Sequence, residues 1–383
     1  MISILHEHII NHIKKNGDIP FSVFMEMALF DEKYGYYNTS KIFGEKGDFV
    51  TSPITSSLFG ESLASEFVNL SKKHSAMSII EIGGGDGSMA TSMIKHLQNI
   101  SCLPERYIII ESSPKLVEVQ KAALKTHFKH IPAIISWEKN INDGPPINGI
   151  IIANEFFDVI PTERFKYRNK KFSKLFITTS DNKLDYKWIE DDSFDKLFEQ
   201  SCNKHKINLI DGYVSELNGN YNAWIKNISN SISEGIIIVI DYGYHAREYY
   251  LDDRNTGTLI CMSSHTPNFN PFTNIGNQDI SSFVNFSHIS NISSKYNLKT
   301  VGYLSQASLL LNLGILDIYN EKKINNNPFE LNNLKNILLP NTMGELFKAL
   351  ILSKNINQDL LSIKEFNQLE LSLIHISEPT RPY

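Results

Sequence analysis

Two short acidic segments of this chain hold residue types whose spacing could support chemistry. One is Glu81-Ile82-Gly83-Gly84-Gly85-Asp86-Gly87; the other is Ala153-Asn154-Glu155-Phe156-Phe157-Asp158, continued by Val159-Ile160-Pro161. Glycines in the first let the backbone turn sharply and come close to a ligand with no Cβ in the way. In the second, Glu155 and Asp158 are three residues apart. A helical turn would put them on one face, where two carboxylates can grip a guanidinium and accept its proton. The alternative is a capped turn whose acids are merely solvated.

The elements around the glycine loop narrow its ligand. An apolar strand, Ser78–Ile82, precedes the loop and a helix over 88–97 follows it; the next strand, Tyr107–Ile110, ends in Glu111. An acid at that strand end can accept both hydroxyl hydrogens of a ribose. A dinucleotide G-x-G-x-x-G would require glycine where Ser88 stands, and Glu111 follows Gly83 by 28 residues rather than the usual spacing of about 20. Glu81, two positions before the first glycine, suits a cofactor with a cationic methionyl end and no pyrophosphate. S-adenosyl-L-methionine therefore fits better than NAD, and a glycine turn without any ligand is the bland alternative.

The remaining pattern supplies a scaffold. A second helix over 114–128 and short strands over 133–136 and 149–153 extend βαβ logic, the last fully apolar as in a parallel strand buried on both faces. A fifth strand is expected over 235–241, after a stretch rich in Lys, Phe and Asp over 164–195 that reads as an antiparallel excursion interrupting a doubly wound α/β sheet. The 153–161 segment then lies just beyond the carboxyl end of the fourth strand, where open α/β sheets bind ligands. Beyond Asp241 the chain reads as loops, with only 308–315 and 343–352 regular, and these segments are expected to cover the mouth of the sheet. Trp137 is a candidate to stack on adenine, and His265 and Asp279 are second-rank candidates to reach the cleft.

Composition bounds the class. The chain has 383 residues, with 37 Lys and Arg against 42 Asp and Glu for a net charge of −5, and 42% hydrophobic residues. This describes a globular protein without a basic footprint for nucleic acid. Cys102, Cys202 and Cys261 form no CxxC pair, so neither a zinc site nor a disulfide framework is expected, and a reducing cytoplasm is the natural setting. No apolar run approaches the ~20 residues of a membrane span. At the start, Ile2, Leu5, Ile9 and Ile13 form one helical stripe ended by Gly17, which fits a folded helix rather than a transit peptide. Residues 372–383 follow no pattern and are expected to be a non-native tail.

Taken together, these segments resemble the MidA family of class I methyltransferases over about residues 10–352. Further markers are Tyr34-Gly35-Tyr36-Tyr37, Gly47-Asp48-Phe49-Val50-Thr51-Ser52-Pro53, Ile240-Asp241-Tyr242-Gly243, Gly276-Asn277-Gln278-Asp279-Ile280 and Met343-Gly344-Glu345-Leu346-Phe347-Lys348. The resemblance implies a Rossmann-like doubly wound sheet. Its expected parts are an N-terminal helical extension over 1–60, a cofactor-binding core over 61–245 with an insertion at about 162–232, a completing and covering part over 246–354, and a tail over 355–371. It further implies methyl transfer from S-adenosyl-L-methionine to an arginine of a protein, expected to be the NADH dehydrogenase subunit of 49-kDa type, with a role in complex I assembly. Members from eukaryotes belong in the mitochondrial matrix. The expected cofactor residues are Glu81, Gly83, Gly85, Gly87, Glu111, Ser112 and Asn154, with Glu155 and Asp158 catalytic and no metal. The chain departs from the family at Ile54, where Glu is usual, and at Phe283 and Asn285, where His and Asp are usual. A small-molecule methyltransferase and a non-catalytic assembly factor remain the alternatives.

Overall fold

The computed structural model describes residues 3–38, 51–202, 207–263, 266–322, 327–356 and 358–369. The sequence markers at Gly47–Val50, the candidate His265 and the predicted tail at 372–383 lie outside them.

Seven strands form the main sheet: β1 (Ser78–Ile82), β2 (Tyr107–Ile110), β3 (Ile135–Glu138), β4 (Ile147–Asn154), β5 (Ile232–Tyr244), β6 (Lys299–Ser305) and β7 (Phe347–Lys354). Their order across the sheet is β6-β7-β5-β4-β1-β2-β3, with the short strand Val284–Asn285 added beside the end of β5. All neighbours from β5 to β3 are parallel, whereas β7 runs antiparallel to both β5 and β6. The sheet is the expected α/β Rossmann-like one. Its register is fixed by apolar runs: residues 236–240 of β5 are 0% exposed, paired with β4 on one side and β7 on the other. Each such side chain contributes ~1.5–3 kcal/mol by leaving water. Both faces are covered, so these strands are continuous in Ile rather than alternating.

Helices α1 (Ser57–Ser71), α2 (Ser88–Asn99) and α3 (Pro114–His127) come from the first half of the chain. Two further helices, α4 (Tyr221–Asn230) and α5 (Phe286–Lys295), come from later. Leu58, Phe67, Met93 and Leu97 pack on one sheet face through Ile79, Ile150 and Ile238, while Tyr221, Ile225, Phe286 and Ile289 pack on the other through Ile80, Ile151 and Ile237.

The expected antiparallel excursion is present as strands Glu163–Arg168, Lys171–Ser180 and Lys183–Glu190, joined by Tyr213–Leu217. Ile19–Pro20 pairs with Lys171–Ser180, so the N-terminal extension and the excursion share one sheet. The helix Tyr221–Asn230, within the range read as insertion, packs on the main sheet instead. At the N-terminus, the helix Ile4–Asn16 buries Leu5, Ile9, Ile10 and Ile13 and ends at Gly17, as its stripe predicts. Among the described residues no helix is long and apolar enough to cross a membrane.

Several boundaries depart from the sequence reading. The third strand starts at Ile135 rather than 133, because Ile135 N–H closes a turn onto Pro132 O at 3.0 Å. The expected 308–315 element is two helices, Gln306–Asn312 and Ile315–Glu321, separated by Gly314 at φ +80°. The 343–352 segment is a single helical turn, Met343–Leu346, followed by β7. Nor is the region after Asp241 mainly loop: it holds β6 and also α5, whose serine-rich composition dilutes its apolar period.

Gly149 and Gly235 stand where the paired strands leave no room for a Cβ. A Cβ on Gly149 would lie 1.9 Å from Ser78 O, and one on Gly235 would lie 1.9 Å from Gly149 O. These neighbours are backbone atoms of paired strands and cannot swing aside. Gly149→Ala is therefore expected to lower unfolding free energy by ~3 kcal/mol or more, or to prevent soluble folding, as read by denaturant titration.

Candidate functional site

The strand order reverses between β2-β1 and β4, so a crevice opens beyond the carboxyl ends of β1 and β4. Both sequence constellations start there, Gly83 after β1 and Glu155 after β4. They line one cavity of about 670 Å³.

The glycine loop is held by its neighbours. Gly83 and Gly85 have φ of +72° and +51°, left-handed values that side chains resist. A Cβ on Gly84 would come within 2.6 Å of Ile109 Cγ2. Gln120, fully buried on α3, donates from Nε2 to Gly85 O and to Glu111 Oε2, each at 3.1 Å, and so ties the loop to the acid of the next strand. Only a buried polar position on an otherwise amphipathic helix could have signalled Gln120 in the sequence. Glu111 also accepts Ser113 N–H at 2.9 Å, and burial raises its pKa. Glu81 sits beneath the loop, accepts Tyr107 Oη at 2.6 Å, and is pushed up to about 8 by burial.

Of the predicted cofactor residues, Glu81, Gly83, Gly85, Glu111, Ser112 and Asn154 line the cavity. Gly87 stands outside that lining as the left-handed N-cap of α2, packed on Gln120. Trp137 is not at the cavity. Its Nε1 donates to Gln120 Oε1 at 2.8 Å and its ring packs into the core. The indole at the cavity is Trp224, which meets Phe156 edge to face at 4.7 Å and was invisible because it lies seventy residues downstream on α4.

Glu155 and Asp158 both reach the cavity, and they do so from a tight turn and not from a helical one. Glu155 has φ +49°, with its N–H bonded to Ile240 O at 2.9 Å. Burial and the neighbouring Asp158 charge push its pKa up to about 8. Asp158 is more deeply set, accepts a hydrogen bond from Tyr242 Oη, and is pushed up to about 6 by burial. Asp279 also lines the cavity and accepts Tyr37 Oη at 3.0 Å.

Two features define what fits. Asn154 Oδ1 and Asp158 Oδ1 are buried acceptors that find no hydrogen-bond partner among the described residues, a state that costs ~1–3 kcal/mol per group unless a donor arrives. Among the described residues the lining carries Glu26, Glu81, Asp86, Glu111, Glu155, Asp158 and Asp279 against one cation, Lys139. Acids whose ionisation burial opposes are those a nearby cation ionises, so such a wall favours cationic, donor-bearing ligands, among them a sulfonium with its ammonium group and a guanidinium. No cluster of metal-ligating side chains occurs among the described residues.

The three departures from the resemblance find structural settings. Asn285 caps α5, its Oδ1 accepting His288 N–H at 3.1 Å, a task Asn and Asp perform equally. Phe283 lines the cavity and packs on Tyr242 and Tyr244, whereas Ile54 lies outside the lining.

Residues 58–304 match the family model described as "Putative S-adenosyl-L-methionine-dependent methyltransferase". Among curated proteins, the chain is similar to rat protein arginine methyltransferase NDUFAF7, mitochondrial, at 26% identity over 80% of this chain and 73% of that protein. It also matches the Caenorhabditis elegans homolog of that protein at 24% identity over 90% and 85%. Among solved structures it resembles a Burkholderia thailandensis protein bound to S-adenosyl-homocysteine, with a TM-score of 0.88 and 26% identity over 95% of each chain.

Proposed function

The chain belongs to this family of S-adenosyl-L-methionine-dependent methyltransferases, and from that premise we propose that it methylates an arginine side chain of a protein. The observation that carries the proposal is the excess of carboxylates in the cavity, with Glu155 and Asp158 at the carboxyl end of β4 beside the glycine loop. An arginine guanidinium stays protonated near neutrality and presents its donors in a planar fork, which carboxylates match. The names of the rat and C. elegans relatives point the same way. A subunit of NADH dehydrogenase, of the 49-kDa type, is the proposed protein acceptor.

S-adenosyl-L-methionine supplies a methyl group already activated on a sulfonium. The residues proposed to hold it are Glu81, Gly83, Gly85, Glu111, Ser112 and Asn154, with Gly87 shaping the loop from the start of α2. Glu111 would accept hydrogen bonds from the ribose, and the glycine-loop backbone would hold the methionyl end. Asp158, steadied by Tyr242, anchors the guanidinium. Glu155 accepts the proton that the attacking nitrogen must lose, and a carboxylate with pKa about 8 is a far stronger base than an exposed one.

Methyl-labelled cofactor incubated with the protein and arginine-containing peptides or the NADH dehydrogenase subunit tests this directly. Label on arginine nitrogens, located by mass spectrometry, is the expected result; label confined to a small-molecule fraction, or none, would overturn it. A pH dependence follows. Glu155 must be ionised to take a proton, so kcat/KM is expected to fall about tenfold per pH unit below about pH 8 and to level off above it. A flat profile between pH 6 and 8 would remove Glu155 as the base.

A further inference from the structure

Asp241 has no place in the cavity lining, yet it accepts four backbone hydrogen bonds right beside it. It is 0% exposed at the end of β5, beside the turn that carries Glu155 and Asp158. Its Oδ2 accepts the backbone N–H groups of Phe156, Phe157 and Asp158 at 3.2, 2.9 and 3.2 Å, while Oδ1 accepts the N–H of Tyr242 at 2.9 Å. Three successive N–H groups converging on one oxygen make an anion nest, of the kind that elsewhere cradles phosphate. Here the nest is filled from within the chain.

The turn needs such a clamp. Glu155 sits in the left-handed region, a conformation that costs a non-glycine residue ~1–3 kcal/mol and persists only where its surroundings enforce it. Upstream, its N–H is fixed by Ile240 O, the residue preceding Asp241. Downstream, the next three N–H groups are all held by the Asp241 carboxylate. Residues 240 and 241 thus hold the turn on both sides of Glu155. Burial and the nearby Asp158 and Glu155 charges raise the pKa of this carboxyl, and the N–H donors oppose that rise by stabilising its charged form.

We propose that Asp241 is a positioning residue: by filling the nest at 156–158 it holds Glu155 in the left-handed conformation that keeps its carboxylate at the cavity. The proposal rests on the reading of Glu155 as the proton acceptor in methyl transfer.

The test compares Asp241→Ala and Asp241→Asn with wild type in methyl transfer to an arginine peptide, in cofactor calorimetry, and in thermal melting with and without formate. For Asp241→Ala, kcat is expected to fall on the order of 10²-fold with cofactor affinity retained, because a small misplacement of the base is costly while the glycine loop is untouched. Formate, a small carboxylate that can occupy the vacated nest, is expected to restore part of kcat and to raise the melting temperature of this variant alone. In Asp241→Asn the amide oxygen keeps the three nest contacts, so the loss is expected to stay within about tenfold. Wild-type turnover in Asp241→Ala would overturn the proposal. So would a loss of activity and cofactor binding together, shared by Asp241→Asn and indifferent to formate, since that pattern marks only a fold defect. The melting response to formate needs no methyl acceptor. If wild type fails to methylate arginine, the arginine reading falls, and the nest still stands or falls on that response.

Discussion

Glu155→Gln is expected to reduce kcat for methyl transfer by about 10²–10⁴-fold while leaving affinity for S-adenosyl-L-methionine unchanged. Glutamine keeps the size of the side chain and a hydrogen-bonding carbonyl, so the turn and the cavity retain their shape. It cannot accept a proton at any accessible pH. The limb of the pH profile near 8 should vanish with the residue, since burial and Asp158 raise this particular carboxyl. Single-turnover methyl transfer and calorimetry on the same preparation separate the two effects. Unchanged turnover would remove Glu155 from the chemistry and leave the cavity's acids as binding groups only.

Gly85→Val is expected to have the second large effect, weakening S-adenosyl-L-methionine binding by at least about 10²-fold. Two costs combine. Valine at φ +51° is a β-branched residue in the left-handed region, strained by ~1–3 kcal/mol even with room around it. Its side chain also stands on a loop that lines the cavity, where the cofactor backbone must approach closely. A free loop that relaxes out of this strain must re-enter it on binding, which corresponds to roughly 5- to 150-fold in the binding constant. Calorimetric titration into variant and wild type measures the loss, with a melting curve to show that the core has folded. Retained micromolar binding would place the methionyl end elsewhere. NAD serves as the control ligand, because the loop lacks the third glycine of the dinucleotide fingerprint and is expected to bind none.

How much of the site was legible in the sequence differs between its two halves. The glycine loop and Glu111 were readable because strand, turn, helix and acid follow one another within about one βαβ unit, and each leaves a local mark. Trp137 misled because it lies in the expected place along the chain while its side chain turns toward Gln120 and the core. Asp241 was visible as a marker only. Nothing in one strand can show that its carboxylate caps a turn 85 residues earlier, a relation created by the parallel pairing of β4 and β5.

By itself, then, the sequence determined the class of sheet, since runs such as residues 236–240 have no stable place except in a strand covered on both faces. It also determined the kind of cofactor, since left-handed glycines and a strand-end acid are local requirements of backbone and ribose. Only the tertiary structure decided which acids share a cavity. It set Glu155, Asp158 and Asp279 around one space, placed Trp224 beside Phe156, withdrew Trp137, and joined the N-terminal extension to the excursion through Ile19–Pro20. The physical reason is range. Conformational preferences act over a few residues, whereas burial and charge at a site depend on neighbours brought together by strand order, and that order belongs to the packed sheet as a whole.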